Sequence, residues 1–481
     1  MSAAQENRRT PTPSIIDAIH SPALFAPWFK KRETWRAWFA LLRAMFGLPM
    51  DETDLDIFRE CTGRTEPPSE PVTESWLIIG RRGGKSLIMA VIAVFLAVFR
   101  DWSEHLVPGE SAAVLVLAVD RKQARIIFKY ARAMFRHVPT LKKLLVSDKD
   151  EILELSNGIN IEIATASFRS TRGYTLVAVL CDEIAFWRTE ENSANPDSEI
   201  LDALRPGMAT VPGAILIGAS SPYAKRGELY RAFRDHFGKN DSPVLVWKAP
   251  TQRMNPAVPR AIIDRAYERD PISAAAEYGA EFRTDIESFI SREAIDAVTI
   301  SDRIELPPMS DARYLAFCDP SGGSADSMTM AVAHLENERG VLDCVREVRP
   351  PFSPDSVVAE FCALLKRYDL TEVMGDRYGG EWPAERFRAH DVTYVPSEKP
   401  KSDLYKELLP SLNAGNVELL DNRTLAAQLT FLERRTARGG RDSIDHPPGA
   451  HDDLANAAAG ALWRVITTGG RSVWEKLGED L

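Results

Sequence analysis

The sequence feature that most constrains this chain is the segment from Trp76 to Ser86, W-L-I-I-G-R-R-G-G-K-S. The apolar run 76–79 predicts a buried strand, and the apolar run 87–99 predicts a helix. A strand, a glycine-rich loop, Lys-Ser and a helix together form the arrangement that holds a triphosphate. Glycines let backbone amides approach the phosphates, and the helix N-terminus adds its positive dipole end. We therefore predict an ATP site formed by Gly80, Arg81, Arg82, Gly83, Gly84, Lys85 and Ser86.

This segment departs from the usual phosphate-binding pattern at one position. In G-x-x-x-x-G-K-[ST] the first glycine would stand at Ile79, whereas here it is Gly80. The alternative interpretation is a glycine-rich turn that contains Gly-Lys-Ser by chance. The strand and helix that flank the segment favour the nucleotide site, in which Lys85 supplies a positive charge and the Ser86 hydroxyl reaches Mg²⁺.

Composition narrows the protein class. The chain has 481 residues, enough for two or three domains, and a net charge of −10. Because the bulk charge is acidic, any contact with DNA must come from local basic patches. Five cysteines without a C-x-x-C pair predict buried free thiols in a reducing compartment and no zinc site. The polar N-terminus is not a signal peptide, and the longest apolar run is too short to cross a bilayer, so we expect a cytosolic protein without a membrane partner.

The first half predicts a mostly parallel sheet with helices on both faces, because apolar strands alternate with helical segments. The expected organisation is an N-terminal arm and helix over 1–60, a P-loop ATPase domain over 61–285, a linker over 286–310, a nuclease-like domain over 311–467 and a tail over 468–481. In the first of these segments residues 1 to about 20 are expected to be a loose arm, and an aromatic-rich helix is expected over 27–50. Its Trp35 is a candidate to cover adenine, although simple core packing is the alternative.

Polar residues end two of the apolar strands in the first half. Asp182 and Glu183 follow the strand 177–181, where an aspartate can hold the Mg²⁺ shell and a glutamate can orient the attacking water. Ser220 and Ser221 end another strand and are candidates to couple the phosphate state to motion. Arg172 is a candidate arginine finger, alongside Arg169 and the two loop arginines; a solvated loop arginine is the alternative.

The second half has the element order of an RNase H-like fold: three strands, a helix, a strand, a helix and a strand. A later helix is expected over 423–434. Asp319 and Asp376 end two strands, and Asp452 and Asp453 begin the last helix. If these carboxylates converge, they suit two Mg²⁺ or Mn²⁺ ions about 4 Å apart that act on a phosphodiester. Asp453 should face the sheet, with Asp452 turned about 100° away. Asp326 is a possible outer ligand and His451 a bystander, and each aspartate alone could equally be a cap or turn residue.

Several motifs in chain order resemble the large subunits of tailed-phage terminases. They are G-R-R-G-G-K-S, D-R-K-Q-A-R, R-S-T-R-G, L-V-A-V-L-C-D-E, I-G-A-S-S-P, M-N-P, A-E-F, L-A-F-C-D-P-S-G-G, V-M-G-D-R-Y-G-G and H-D-D-L-A-N-A, spread over residues 70–466. The resemblance implies an ASCE-type P-loop ATPase with ATP and Mg²⁺, followed by an RNase H-like metal-dependent endonuclease. It also implies that Asp182 is the Walker B acid, Glu183 the catalytic carboxylate, Arg172 an arginine that acts across a ring, and Asp319, Asp376 and Asp453 nuclease metal ligands.

The same resemblance implies the partners: double-stranded DNA, a portal protein and a terminase small subunit. The protein would form a homo-oligomeric ring on the portal, be a monomer in solution, work in the cytoplasm of a bacterial host and be absent from the mature virion. Two alternatives stay open from the sequence. One is a P-loop assembly or switch ATPase with a non-cutting RNase H-like half. The other is a helicase, which would need a second domain of alternating strands and helices.

Overall fold

The computed structural model describes residues 12–165, 175–187, 196–324, 326–377, 381–436, 442–447 and 450–469. The chain divides into two compact units. Unit 1 comprises residues 1–189 and 195–284, and unit 2 comprises residues 190–194 and 285–481. In the part of the chain that is described, no helix has the length and apolar character needed to cross a membrane.

Unit 1 is built from eleven helices and eight strands within its described residues. The helices are α1 (Ile15–His20), α2 (Arg36–Met45), α3 (Glu52–Thr62), α4 (Lys85–Phe99), α5 (Arg121–His137), α6 (Pro139–Lys142), α7 (Pro196–Ala209), α8 (Gly227–His236), α9 (Thr251–Met254), α10 (Arg260–Arg269) and α11 (Pro271–Glu277). The strands are β1 (Glu74–Ile79), β2 (Ala112–Ala118), β3 (Leu145–Asp148), β4 (Ile152–Leu155), β5 (Ile159–Thr165), β6 (Thr175–Asp182), β7 (Ile215–Ser220) and β8 (Val244–Ala249).

These eight strands form one sheet in the order β3-β4-β5-β2-β6-β7-β1-β8. The pairs from β5 to β8 are parallel, and β3-β4-β5 are antiparallel. Strands β2 and β7 are buried along their whole length, as expected for parallel strands covered on both faces. In the strand order of this sheet, β7 lies between β1 and β6, which agrees with the predicted ASCE-type sheet.

Two helices on one side of this sheet show why the sequence folds this way. Helix α4 is apolar on every side and forms the centre of the core. Helix α5 is strongly amphipathic, and the Asp120 side chain caps it by accepting from the amides of Lys122 and Gln123. Helix α5 packs against α4, β2 and β5.

The N-terminal segment is more ordered than the sequence suggested. Residues 1 to about 20 were expected to be a loose arm, yet α1 is buried, begins with a capping box at Ser14 and packs on α2 and α4. The helix expected over 27–50 is shorter, since α2 covers only Arg36–Met45 and single 3₁₀ turns precede it. Residues before 12 lie outside the described part of the chain.

Unit 2 is built from six helices and ten strands within its described residues. The strands are β9 (Ile286–Ser288), β10 (Thr299–Ile300), β11 (Tyr314–Asp319), β12 (Met328–Glu336), β13 (Arg339–Val348), β14 (Glu372–Gly375), β15 (Thr393–Pro396), β16 (Val417–Leu420), β17 (Glu433–Thr436) and β18 (Asp442–Asp445). The helices are α12 (Arg292–Val298), α13 (Pro354–Arg367), α14 (Trp382–Arg388), α15 (Lys401–Asn413), α16 (Arg423–Phe431) and α17 (Asp453–Gly469).

The main sheet of unit 2 has the order β10-β16-β13-β12-β11-β14-β15. Strands β11, β12 and β13 are antiparallel neighbours, whereas β14 and β15 run parallel to β11. This central order is the one expected of an RNase H-like fold. Helix α17 packs across β11, β12 and β13. At the crossing, a Cβ on Gly460 would stand 2.3 Å from the Phe317 ring, so only glycine allows this close approach.

Two expectations for unit 2 were wrong in part. The segment 286–310, predicted as a linker, contains β9, α12 and β10, which pair with or pack on other elements of unit 2. A stretch of ten residues without a helix or strand follows, over 301–310. The helix expected over 423–434 ends at Phe431, and the chain continues into β17. Polar two- to four-residue strands such as these carry too few residues to show an apolar period.

Candidate nucleotide and metal sites

In unit 1 the phosphate loop (residues 80–84) connects β1 to α4. Gly84 has φ of +103° and a Cβ there would stand 2.9 Å from Trp35, so this position needs glycine. Trp35 is half-buried and packs on this end of the loop and on Phe29. This placement is the core packing that the sequence left as the alternative to adenine binding.

The carbonyl oxygens of three consecutive loop residues are each bound by a side chain from another element. Thr251 donates its hydroxyl to the Arg81 carbonyl at 2.7 Å, and Asn255 donates its amide to the Arg82 carbonyl at 2.9 Å. The buried Trp38 indole donates to the Gly83 carbonyl at 2.7 Å. These contacts fix the carbonyl dipoles of the loop in hydrogen bonds to the rest of unit 1, where they cannot turn toward a bound anion.

The two loop arginines differ in their contacts. Arg81 is tied to the end of α11, through an ion pair with Glu277 at 2.9 Å and through its own amide, which donates to the Glu277 carbonyl. Arg82 is exposed and has φ of +129°, which is rare for a residue other than glycine. Ser86 lies in the first turn of α4 and is half-buried.

Lys85 lies at the start of α4 and is buried. Its ammonium donates to the Ile79 carbonyl at 3.1 Å and pairs with a Glu183 oxygen at 3.3 Å. The predicted lysine and glutamate are therefore in direct contact, although 98 positions separate them in the sequence. Asp182, the acid that precedes Glu183, ends β6 and is 6% exposed. Its Oδ1 atom is buried and has no hydrogen-bond partner.

Burial, reinforced by the negative charge of Glu183, raises the pKa of Asp182 to about 7, and Lys85 opposes this rise. A buried carboxylate oxygen with no donor is costly unless a cation approaches it. The donor set therefore fits Mg²⁺, which prefers oxygen ligands. A purely structural acid at this place would be expected to have its oxygens paired.

Glu183 has φ of +50° and is oriented by the neighbouring strand. Ser220 donates its hydroxyl to Glu183 at 3.0 Å, and the Ser221 amide donates to the same oxygen at 3.3 Å. Since β7 lies between β1 and β6, the two serines contact the carboxylate that also contacts Lys85. Arg172 and Arg169, the predicted arginine-finger candidates, lie outside the described residues.

In unit 2 two of the predicted aspartates end neighbouring parallel strands. Asp319 ends β11 and Asp376 follows β14, and the Asp376 amide donates to the Cys318 carbonyl at 3.3 Å. The fully buried Asn456 amide donates to both carboxylates, at 2.9 Å to Asp319 and 2.8 Å to Asp376. Burial raises the pKa of Asp319 well above its usual range, with a further rise from the Asp376 charge, and burial also raises the pKa of Asp376.

The two aspartates at the start of α17 lie close enough to this pair for their charges to act on Asp319. Asp453 is joined to the sheet because its carbonyl accepts from Thr329, which lies opposite Asp319 in the β11–β12 register, at 2.6 Å. Its carboxylate accepts from the Ser327 amide at 3.3 Å. Burial and the nearby Asp452 charge raise the pKa of Asp453 to about 6.

Asp452, expected to turn away from the sheet, is in fact the more buried of the two, at 4% side-chain exposure against 15%. The Lys401 ammonium approaches it at 3.1 Å, and the Tyr405 hydroxyl donates to it at 3.0 Å. The helix begins only at Asp453, so the helical angle used to orient Asp452 does not apply to it. Lys401 also pairs with Asp445 at 2.8 Å, so this lysine supplies the positive charge for a second acidic group.

The remaining predicted neighbours lie at the exposed rim. His451 stands 3.8 Å from Asp453 and 3.9 Å from Asp326, and Asp326 is 66% exposed. Three further side chains at this site were not predicted from the sequence: Asn456, Lys401 and Tyr405. Only Asn456 had a usable signal, since it stands three positions after Asp453 and is a polar residue in an otherwise alanine-rich helix.

Taken together, Asp319, Asp376, Asp452 and Asp453 form a group of largely buried carboxylates with one amide and one ammonium among them. Burial, and after it the like charges of the neighbouring acids, raises the pKa values of Asp319, Asp376 and Asp453. Oxygen ligands of this kind fit Mg²⁺ or Mn²⁺. The described side chains can therefore hold divalent ions, with Asp319 and Asp376 at the centre.

Comparison with known protein families gives a match within unit 1. The family model "Terminase large subunit, ATPase domain" matches residues 62–233. No curated protein sequence matches the chain.

Several solved structures are similar to this chain at low identity. The HK97 bacteriophage large terminase has 17% identity and a TM-score of 0.38, covering 82% of this chain and 91% of that one. The large terminase of the thermophilic bacteriophage D6E has 11% identity and a TM-score of 0.37, covering 90% and 98%. The large terminase nuclease from the thermophilic phage G20c with bound magnesium has 20% identity and a TM-score of 0.32, covering 36% and 96%. Residues 62–233 are therefore similar to the ATPase domain of terminase large subunits.

Proposed function

We propose that this chain is the ATP-driven, DNA-cutting subunit of a viral packaging motor. In this proposal unit 1 hydrolyses ATP to move double-stranded DNA into a procapsid, and unit 2 cleaves concatemeric DNA with a two-metal endonuclease. The observation that carries the proposal is the presence of two separate carboxylate sites, one in each unit. One adjoins a phosphate loop, and the other joins the ends of two parallel strands.

The chemistry of unit 1 follows from the contacts of its acids. The unpaired Asp182 oxygen would face Mg²⁺, which would neutralise phosphate charge when it is bound with ATP. Glu183 is held by two donors at the end of β7, Ser220 and Ser221, so it is oriented to take a proton from an attacking water. Lys85 contacts Glu183 directly, and a triphosphate bound on the loop would compete for this ammonium.

The chemistry of unit 2 is hydrolysis of a phosphodiester. Asp319 and Asp376 would share the ions with Asp453, and Asp452 would complete the set from the Lys401 side. Two divalent ions would activate a water and stabilise the leaving oxygen. Asn456 acts through Asp319 and Asp376, because its two hydrogen bonds fix their carboxylates relative to each other.

The partners belong to the same proposal. The substrate would be double-stranded DNA, and the protein would assemble as a homo-oligomeric ring on a portal protein with a terminase small subunit, from monomers in solution. Arg172 would act as an arginine finger in that ring. The site of action would be the cytoplasm of a bacterial host, without incorporation into the mature virion.

The ATPase half is tested with the Glu183→Gln variant of the full chain. We expect ATP turnover to fall by about 100-fold or more, the usual contribution of a general base, whereas affinity for ATP stays within a few-fold. Glu268→Gln is the matched control, because it removes the charge of an exposed acid on α10. Undiminished turnover in Glu183→Gln would place the base elsewhere.

The nuclease half is tested by incubating supercoiled plasmid with the full chain and Mn²⁺. We expect nicking and linearisation by the wild type and none by Asp376→Ala or Asp376→Asn. The control is Asp355→Ala, which removes an exposed acid from α13. If the wild type cuts DNA with neither Mn²⁺ nor Mg²⁺, unit 2 is a non-cutting RNase H-like domain and the chain is an assembly or switch ATPase.

A further inference from the structure

The charge of this chain is distributed very unevenly. Residues 121–143, which cover α5 and α6, contain eight lysines and arginines and no acidic residue. The chain as a whole carries −10, so the remaining residues carry −18. The basic side chains are Arg121, Lys122, Arg125, Lys129, Arg132, Arg136, Lys142 and Lys143.

This arrangement weakens the helix that carries it. The first turn of α5 has two basic side chains and no acidic one, although the positive end of the helix dipole favours acids there. Like charges four residues apart, as at Arg121 and Arg125 or Arg125 and Lys129, also repel each other. The Asp120 cap and the buried apolar face keep the helix stable. These basic residues lower the stability of α5, and its packing does not require them. They therefore indicate a function for the outward face of the helix.

The outward face of α5 is accessible. Arg121, Lys122, Arg125, Lys129 and Arg136 are all exposed. Two acids face it from the adjoining hairpin: Asp148 pairs with Arg132 and Arg136, and Glu151 stands 3.5 Å from Arg121 and 3.8 Å from Arg125.

The two lysines on this face differ from the arginines in their ion pairs. Among the described residues, neither Lys122 nor Lys129 has a carboxylate within 4 Å, and both are exposed, with the exposed Ile126 between them. The surface therefore keeps a positive charge after its ion pairs are counted.

We propose that the outward face of α5 binds the phosphate backbone of duplex DNA. This inference rests on the proposed function and adds to it the surface that meets the substrate. The cations from Arg121 to Arg136 span about 22 Å along the helix, which matches roughly six successive phosphates of one strand. An acidic protein partner fits less well, because the centre of a protein interface is depleted of lysine and rich in aromatic residues.

The position of α5 relates the proposed DNA contact to the nucleotide site. Its N-terminus follows β2, so it lies at the same edge of the parallel sheet as the phosphate loop, which follows β1. Helix α5 also packs against α4, whose first residue is Lys85. DNA held on α5 is therefore one helix away from the nucleotide site.

The test measures the affinity of the full chain for a 30-base-pair duplex of arbitrary sequence, by fluorescence anisotropy over a series of salt concentrations. The variant is Lys122→Glu/Lys129→Glu, which alters neither an ion pair nor the core. The control is Lys239→Glu/Arg269→Glu, an equal change of charge at two exposed residues of unit 1 outside α5.

We expect the α5 variant to bind DNA at least tenfold more weakly, with a salt slope lower by about two, because each lost phosphate contact lowers the slope by roughly one. The control should stay within twofold of wild type. ATP turnover without DNA should not change. The thermal midpoint should hold or rise, because Lys122→Glu places an acid in the first turn of the helix.

The outcomes separate this inference from the function beneath it. If the wild type binds duplex DNA and the α5 variant binds it equally well, the DNA surface lies elsewhere and the packaging function stands. Equal losses in the variant and the control would also overturn the assignment, because the effect would then be one of total charge. If the wild type does not bind DNA at all, the proposed function fails together with this surface.

Discussion

Thr251 shows how one buried hydroxyl can act on a nucleotide site without touching the nucleotide. It is fully buried, and its hydroxyl donates to the Arg81 carbonyl, while Asn255 and Trp38 bind the next two carbonyls. A phosphate loop binds anions through its amides, so a carbonyl that turned inward would repel the phosphates. Thr251 is thus a positioning residue for the loop.

We predict that Thr251→Val raises the KM for ATP about five- to tenfold and changes kcat little, because it removes a hydrogen bond worth roughly 1 kcal/mol that keeps the loop ready to bind. Steady-state ATPase assays measure both constants. Thr251→Ser keeps the hydroxyl and should restore the wild-type KM. A Thr251→Ser variant as impaired as Thr251→Val would show that the hydroxyl alone does not set the affinity of the loop for ATP.

At the residue scale the acids were predictable, whereas the groups that orient them were not. Asp182, Asp319 and Asp376 each end an apolar strand, and the ends of parallel strands meet at one edge, so their position follows from local pattern. Lys401 and Thr251 reach the sites from segments distant in sequence. Their contacts depend on packing that the local sequence does not encode.

At the scale of elements, long apolar segments were predicted well and short polar ones were not. Strand β6 and helix α4 have long apolar runs, and both were expected near their observed bounds. Strands β17 and β18 have four residues each and pair with one another. Their side chains are mainly polar, so the sequence shows no alternation of apolar and polar residues that would predict a strand. Pairing with a neighbouring strand, rather than sequence preference, sets the conformation of such segments.

A buried pair between two strands gives a prediction at this scale. His334 on β12 and Asp343 on β13 are both almost fully buried, and their side chains meet at 2.8 Å. The hydrogen bond to Asp343, together with the charges of Asp343, Glu336 and Glu418, raises the pKa of His334 above 6.5, although burial opposes this rise. Tyr314 on β11 packs edge-on against the same imidazole.

Because the folded pKa is the higher one, the pair stabilises unit 2 fully below about pH 6.5, and this contribution is lost as the pH rises through the folded pKa. We predict that the free energy of unfolding falls between pH 6 and 8.5 in the wild type and falls less in His334→Gln. Denaturant titrations at several pH values measure this. His390→Gln, at a half-buried histidine for which no such carboxylate contact is seen in the described part of the chain, should behave like the wild type.

At the scale of the whole molecule, each unit contains its own buried acids, whose negative charge a bound cation would neutralise. Unit 1 buries the unpaired Asp182 oxygen, and unit 2 buries the pair of Asp319 and Asp376. Neither group of acids shares a side chain with the other. A ligand that relieves the charge in one unit should therefore stabilise that unit alone, and a chain of two such units is not expected to unfold in a single two-state step.

We predict two thermal transitions by scanning calorimetry, one raised by ADP and the other by Mn²⁺. At a ligand concentration 100 times Kd the stabilisation is about 2.7 kcal/mol, or roughly 5–10 °C for units of this size. Lys85→Ala should abolish the shift caused by ADP and keep the shift caused by Mn²⁺. Asp319→Asn/Asp376→Asn should do the reverse, and should also raise its own transition without metal, because the repulsion between two buried charges is gone. A single transition that both ligands move together, or a variant that loses both shifts, would mean that the two sites depend on one another for their stability.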